Sequence, residues 1–150
     1  MQIGIPLDSD FRISPELEAE IYETLNSYGA SSSFYIVSLD DGMSIGYNVD
    51  KRYQTASSIK APFALSIQRE IAKGNIDGNM LLTYQERHHS IGSGVVKNSE
   101  FGTQFTVNEL IKYSLHESDN VAHIMLHNYL GVKVHNQHMN NENLYKNMYL

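Results

Sequence analysis

The chain has 150 residues, which predicts one domain with enough length for a buried core. The net charge is −6 and no block of Lys or Arg stands out, so the composition argues against a nucleic-acid-binding groove. The sequence has no apolar run long enough to span a membrane, and it contains no cysteine, which excludes disulfides, thiolate catalysis and cysteine-based zinc sites. The N-terminal stretch lacks the basic and apolar segments of a signal peptide.

The first third of the chain predicts a helix followed by a β-hairpin. Ser14-Pro15 is typical of a helix start, with Ser at the N-cap and Pro at the first helical position. Apolar residues then recur along one face, which predicts a helix over 15–28 that ends at Gly29. Two runs of aromatic and β-branched residues flank Asp40-Asp41-Gly42, and this pattern predicts a hairpin over 33–48.

The rest of the chain predicts three helices and a divergent tail. A four-residue apolar repeat begins at Ser57 and stops at Lys73-Gly74, whereas residues 74–105 are rich in glycine and predict loops with short helical pieces. A capping box from Thr106 to Glu109 opens a helix through about residue 115, and a further apolar run follows residues 118–120 and stops at Gly131. We therefore expect one domain over 1–134 and an Asn-rich tail over 135–150.

Ser57 and Lys60 form the first candidate for chemistry. A serine hydroxyl needs a neighbouring base to become a nucleophile, and residues three apart on a helix share a face. The partial positive charge at a helix start would favour a neutral lysine amine. The alternative is that Ser57 caps the helix and Lys60 is a solvated side chain.

The tripeptide Ser118-Asp119-Asn120 is the second candidate, at the junction between two predicted helices. A second hydroxyl there could move a proton to a leaving nitrogen, and an amide side chain could bind a substrate amide. The alternative is again a helix cap, because Ser, Asp and Asn are all capping residues.

The run from Tyr47 to Lys60, with S-x-x-K followed about sixty residues later by S-D-N, resembles class A β-lactamases and related penicillin-recognising serine hydrolases. The resemblance covers residues 14–134 and implies an α+β, β-lactamase/transpeptidase-like fold, with a helical subdomain and an incomplete antiparallel sheet. It implies β-lactam or D-alanyl peptide substrates, no cofactor, and an exported protein. Its site residues are the acylated nucleophile Ser57, the proton acceptor Lys60, the proton relay Ser118 and the substrate-amide ligand Asn120.

The sequence departs from this family beyond S-D-N. No K-T-G occurs, and the family's spacing of roughly thirty-five residues after S-D-N would place the deacylating glutamate just past Leu150. Glu142 is not given this role, because it lies too early and its neighbours do not match. We therefore expect a truncated copy whose tail arose by frameshift or read-through and whose hydrolytic activity is impaired. A D,D-peptidase of the same fold and a non-catalytic fragment or interaction module are the alternatives.

His116, His123 and His127 are spaced for one face of a continuous helix, which would suggest a metal site. A helix break at Ser118 and the lack of a well-placed carboxylate argue against it, so no metal is expected.

Overall fold

The computed structural model describes residues 14–28, 32–42, 44–131, 136 and 148–149. The chain forms two compact units, residues 1–52 and residues 53–150. Most of the predicted tail over 135–150 lies outside the described residues, and the boundary at 134 stays a prediction.

The first unit contains the predicted helix, α1, over Pro15–Ser27. Ser14 caps it as expected, because its side chain accepts a hydrogen bond of 3.2 Å from the backbone N–H of Leu17. The predicted stop at Gly29 lies outside the described residues. The apolar stripe is less buried than its periodicity indicates, since Leu17 is 44% exposed and Tyr28, just past the helix, is 76% exposed.

The predicted hairpin is also present in this unit. Strand β1, Phe34–Val37, pairs antiparallel with β2, Ser44–Tyr47, and the register places Phe34 opposite Tyr47. Gly42 occupies the turn with φ 76°, a conformation that glycine adopts without steric cost. The aromatic rings of Phe34 and Tyr47 stack on one face of the pair.

The second unit opens with β3, Tyr53–Gln54, and then a helical segment in two pieces. A short 3₁₀ helix over Ala56–Ile59 leads directly into α2, Lys60–Ala72, where one helix from Ser57 was expected. Proline lacks the N–H that a continuous α-helix would need at residue 62, so the tighter turn precedes it.

A small antiparallel pair was missed by the sequence analysis. Strand β4, Leu81–Thr83, pairs with β5, Gln104–Thr106, and 3₁₀ turns occur between them at Glu86–His88 and Val96–Asn98. The turns match the predicted short helical pieces. The strands were not predicted because three residues are too few to show a period of two, and the pairing is remote in sequence. A further strand, β6 at Met148–Tyr149, runs parallel to β3.

The last two predicted helices are confirmed. Helix α3, Val107–His116, starts with the capping box of Thr106 and Glu109, and α4, Asn120–Leu130, ends at Gly131 with φ 74°. The core of the second unit lies between α2, α3 and α4, and its buried side chains include Phe63, Ile67, Leu110, Val121, Met125 and Leu126. Within the described part of the chain, none of the helices has the length and hydropathy needed to cross a bilayer.

Replacing Ile67 with Ala should lower the free energy of unfolding by about 2–5 kcal/mol, because this fully buried side chain would leave a cavity. The matched control is Leu65→Ala on the same helix, where the side chain is 51% exposed and the loss should be about 0.5 kcal/mol or less. Urea unfolding followed by circular dichroism measures both; equal losses would show that α2 does not pack as described.

Candidate active site

Ser57 lies in the 3₁₀ turn that precedes α2, and its side chain is exposed. Thr55 occupies the cap position of this turn, so the alternative interpretation of Ser57 as a helix cap is wrong. The preceding residue, Ala56, has φ 43°, a left-handed conformation that costs a non-glycine residue about 1–2 kcal/mol. Such strain is typical of functional sites, where the surrounding structure holds it in place.

Lys60 is the buried centre of the site. Only 4% of its surface is exposed, so the alternative of a solvated lysine is also wrong. Its Nζ atom lies 3.3 Å from Ser57 Oγ and 3.2 Å from Ser118 Oγ. It also donates to the carbonyl of Ser118 at 2.5 Å and to Asn120 Oδ1 at 2.7 Å. The other three residues singled out in the sequence, Ser57, Ser118 and Asn120, therefore converge on this one amine.

The distances around Nζ indicate how a neutral amine would be oriented. Its two shortest contacts are to the Ser118 carbonyl and the Asn120 amide oxygen, which can only accept hydrogen bonds. A neutral amine has two N–H donors for these two acceptors and one lone pair left. In that neutral form the lone pair would be available to a hydroxyl proton of Ser57 or Ser118, whose oxygens lie within 3.3 Å of Nζ.

The pKa of Lys60 is below its ordinary value of 10.5, because burial disfavours the charged ammonium. The nearby carboxylate of Asp119 opposes this shift. Burial is the larger effect, so the neutral amine is more accessible here than on an exposed lysine.

The three residues of the S-D-N tripeptide make different contacts. The cap of α4 is Asp119, whose Oδ1 accepts from the N–H of Ala122 at 2.9 Å, so the cap interpretation holds for Asp119 and not for Ser118. Ser118 has φ 50°, a left-handed backbone between α3 and α4. Both its hydroxyl and its carbonyl reach Lys60.

Asp119 is also a positioning residue, a role beyond the helix cap that the sequence analysis offered for it. It is fully buried, and its Oδ2 accepts from the N–H groups of Val95 and Val96 at 2.6 and 2.8 Å. Gly94, with φ 116°, passes so close that a Cβ there would lie 2.6 Å from Asp119 Cα. The carboxylate thus ties the loop over 91–96 to the start of α4.

Asn120 makes the second attachment of this loop. Its backbone N–H donates to the Ser93 carbonyl at 3.1 Å, and its Nδ2 donates to the Ile91 carbonyl at 3.2 Å. A Cβ at position 92 would lie 2.8 Å from Asn120 Nδ2. The loop can therefore approach Asn120 this closely only with glycine at this position. Gly92 and Gly94 are the sequence signal that could have indicated this loop, which the sequence analysis described only as part of a glycine-rich stretch.

The three histidines do not gather around one point. The helix break at Ser118 is present, His116 is exposed, and the rings of His123 and His127 pack on Phe63 with centroids 5.0 and 5.6 Å away. Among the residues the structure describes, no group of three His, Asp or Glu side chains is placed to hold a metal ion.

The chain matches a model of the beta-lactamase enzyme family over residues 16–148, and it belongs to that family. It is also 26% identical, over 108 residues, to Beta-lactamase VEB-1 from Pseudomonas aeruginosa. That match covers 71% of this chain and 36% of the relative, so the chain spans about a third of its length.

Solved structures of similar fold include a beta-lactamase from Sphaerobacter thermophilus, with a TM-score of 0.71 and 22% identity over 83% of this chain and 47% of that chain. PBP-A gives a TM-score of 0.77 with 21% identity, covering 90% of this chain and 52% of that one. A PBP-A mutant solved as an acyl-enzyme complex with penicillin G gives 0.76 with 22% identity, over 87% and 50% of the two chains. The expected β-lactamase/transpeptidase-like α+β fold is confirmed, and the chain spans about half the length of these structures.

Replacing Asp119 with Asn should destabilise the second unit by about 3 kcal/mol, because an amide nitrogen would face backbone N–H donors in a buried place. Urea unfolding measures the loss, and hydrogen exchange at Val95 and Val96 should speed up. Glu117→Gln, which removes an exposed carboxylate two residues away, is the control and should change neither. Unchanged exchange at Val95 and Val96 in the Asp119 variant would contradict the proposed tie.

Proposed function

We propose that the chain reacts with β-lactams through Ser57 to form an acyl-serine. The observation that carries this proposal is the convergence of two hydroxyl groups, Ser57 Oγ and Ser118 Oγ, within 3.3 Å of the buried Lys60 amine. Membership of the beta-lactamase enzyme family supports it, as does the fold shared with PBP-A, one mutant of which was solved with a penicillin G acyl group.

In the proposed reaction, neutral Lys60 accepts the Ser57 hydroxyl proton while Oγ attacks the lactam carbonyl carbon. A bond forms between Ser57 Oγ and that carbon, and the lactam C–N bond breaks. Lys60 returns the proton through the hydroxyl of Ser118 to the ring nitrogen. The nitrogen becomes an amine that is no longer bonded to the carbonyl carbon but remains part of the same acyl group through the rest of the opened ring. Because Ser118 Oγ lies 3.2 Å from Nζ, it is within reach for this relay.

Asn120 has two roles in this proposal. Its Oδ1 accepts from Lys60 and fixes the amine, and one of its two Nδ2 hydrogens is directed to the Ile91 carbonyl. We assign the second hydrogen, which has no acceptor among the described residues, to the side-chain amide of the substrate. We also propose that this reaction takes place outside the cytoplasmic membrane, where family members typically act.

We expect the acyl group to accumulate on this chain. The one carboxylate of the described site, that of Asp119, accepts three backbone N–H groups and cannot activate a water molecule. D,D-peptidase chemistry on D-alanyl peptides is the alternative, favoured by the likeness to PBP-A. The decay of the penicillin adduct over time identifies a β-lactamase, which would release hydrolysed penicillin fast. A separate assay identifies the peptidase, which would release D-alanine from a peptide.

Intact-mass spectrometry after incubation with penicillin G should show an adduct equal to one whole penicillin, because the ring nitrogen stays attached. Ser57→Ala should abolish it. The control is Ser58→Ala, which removes a neighbouring exposed hydroxyl that bonds to the Thr55 carbonyl, and it should keep the adduct. Absence of an adduct on the well-folded parent chain would favour the non-catalytic interaction module instead.

The acylation rate constant should rise with pH and level off below pH 10.5, because Lys60 must be neutral to accept the proton and burial lowers its pKa. Lys60→Gln should lower the plateau by about 100- to 10,000-fold and remove this rise. Stopped-flow acylation by a chromogenic cephalosporin at several pH values measures both. A parent rate constant that is independent of pH, or that falls as pH increases, would rule out Lys60 as the base.

A further inference from the structure

Three successive carbonyl groups of the loop beside Asn120 each accept a hydrogen bond. The carbonyl of Ile91 accepts from the side chain of Asn120, and the carbonyl of Ser93 accepts from its backbone N–H. Between them, the Gly92 carbonyl accepts from Nζ of Lys97, a residue without a role in the reaction proposed above. Two of these three attachments therefore come from the S-D-N tripeptide, and the third comes from a lysine outside it.

The loop needs these attachments because its backbone is conformationally free. Gly92 and Gly94 have φ of 105° and 116°, and glycine loses more conformational freedom than any other residue when a loop is ordered. The side chain of Ile91 is 86% exposed, so burial of an apolar side chain does not hold this end of the loop. The position of the loop beside Asn120 therefore depends on its hydrogen bonds.

Lys97 extends from a fixed part of the backbone. It lies in the 3₁₀ turn Val96–Asn98, where Val96 is buried and donates its N–H to Asp119 Oδ2 at 2.8 Å. From there the side chain of Lys97 reaches back to Gly92, and its charged donor makes a stronger hydrogen bond than a neutral one. In the described parts of the chain this amine has no ion pair, so no carboxylate competes with the carbonyl.

The side-chain amide of Asn120 connects the loop to the reacting groups. Its Nδ2 donates to the Ile91 carbonyl at 3.2 Å, and its Oδ1 accepts from Lys60 at 2.7 Å. The two Nδ2 hydrogens belong to one planar group, so the acceptor of one hydrogen sets the direction of the other. A shift of the Ile91 carbonyl would therefore turn the second hydrogen, which was assigned above to the substrate amide.

We propose that Lys97 is a positioning residue for recognition of the side-chain amide of the substrate. By holding the Gly92 carbonyl it fixes the adjoining carbonyl of Ile91, which in turn orients the amide of Asn120. This inference rests on the acylation proposed for Ser57 and deepens it, because it names the part of the substrate whose recognition depends on the loop. A β-lactam without a side-chain amide should react at a rate that does not depend on Lys97.

Acylation by two β-lactams tests this role: penicillin G, and 6-aminopenicillanic acid, which has the same ring system without the side-chain amide. Lys97→Met should lower the second-order acylation rate constant for penicillin G about fivefold, as expected for the loss of one hydrogen bond. The rate constant for 6-aminopenicillanic acid should stay within about twofold. Lys97→Arg should keep both parent values, because a guanidinium can donate to the same carbonyl. Equal loss with both compounds, or no loss with penicillin G, would overturn the positioning role.

The matched control is Lys112→Met, which removes one exposed positive charge on α3 and should leave both rate constants within about twofold. Because Gly92 is exposed, water can replace the lysine as its donor, and Lys97→Met is expected to keep its fold, which a thermal melt verifies. An equal loss in the Lys97 and Lys112 variants would reduce the effect to net charge and overturn the proposal.

NMR of the nitrogen-labelled chain without substrate separates this role from the acylation chemistry. In Lys97→Met the side-chain amide signals of Asn120 should shift and exchange with solvent faster, whereas Lys97→Arg and Lys112→Met should match the parent. This change in a chain that forms no penicillin adduct would reject acylation at Ser57 and support the contact of Lys97 with the loop. Unchanged Asn120 signals in Lys97→Met would overturn the role of Lys97, whether or not the adduct forms.

Discussion

The buried carboxylate of Asp119 is the interaction on which the second unit's functional side chains depend. It accepts three backbone N–H groups, two from the loop over 91–96 and one from the first turn of α4. A buried carboxylate is stable only when it is paired or fully hydrogen-bonded, and these bonds meet that requirement. Their consequence is that Ser118 and Asn120, on either side of Asp119, are held where both reach Lys60.

The burial of Lys60 opposes the stability of the folded unit. Burying an amine among hydroxyl and carbonyl oxygens disfavours its charged form, and Asp119 compensates only in part. Left-handed backbone at Ala56 and Ser118 adds strain on both sides of the amine. The helical core of α2, α3 and α4 must supply the stability that holds these groups together. A site of this kind is therefore expected to be the least stable part of a well-packed unit.

From the sequence alone, the starts of α1, α3 and α4, the ends of α2 and α4, and the hairpin could be predicted. So could the four residues that meet around the Lys60 amine, whose catalytic roles stay a proposal. Capping boxes, Ser-Pro, Asp-Gly and glycine stops act over a few residues, so their effect can be read locally, and S-x-x-K with S-D-N identified the family. Only the tertiary structure decided that Asp119 rather than Ser118 caps α4, that β4 pairs with β5, and that Lys60 is buried. The strand pairing and the burial of Lys60 depend on contacts between residues more than twenty positions apart. The cap depends on which of several capping side chains accepts from the first turn of α4. Burial and long-range pairing leave no periodic trace in so short a stretch of sequence.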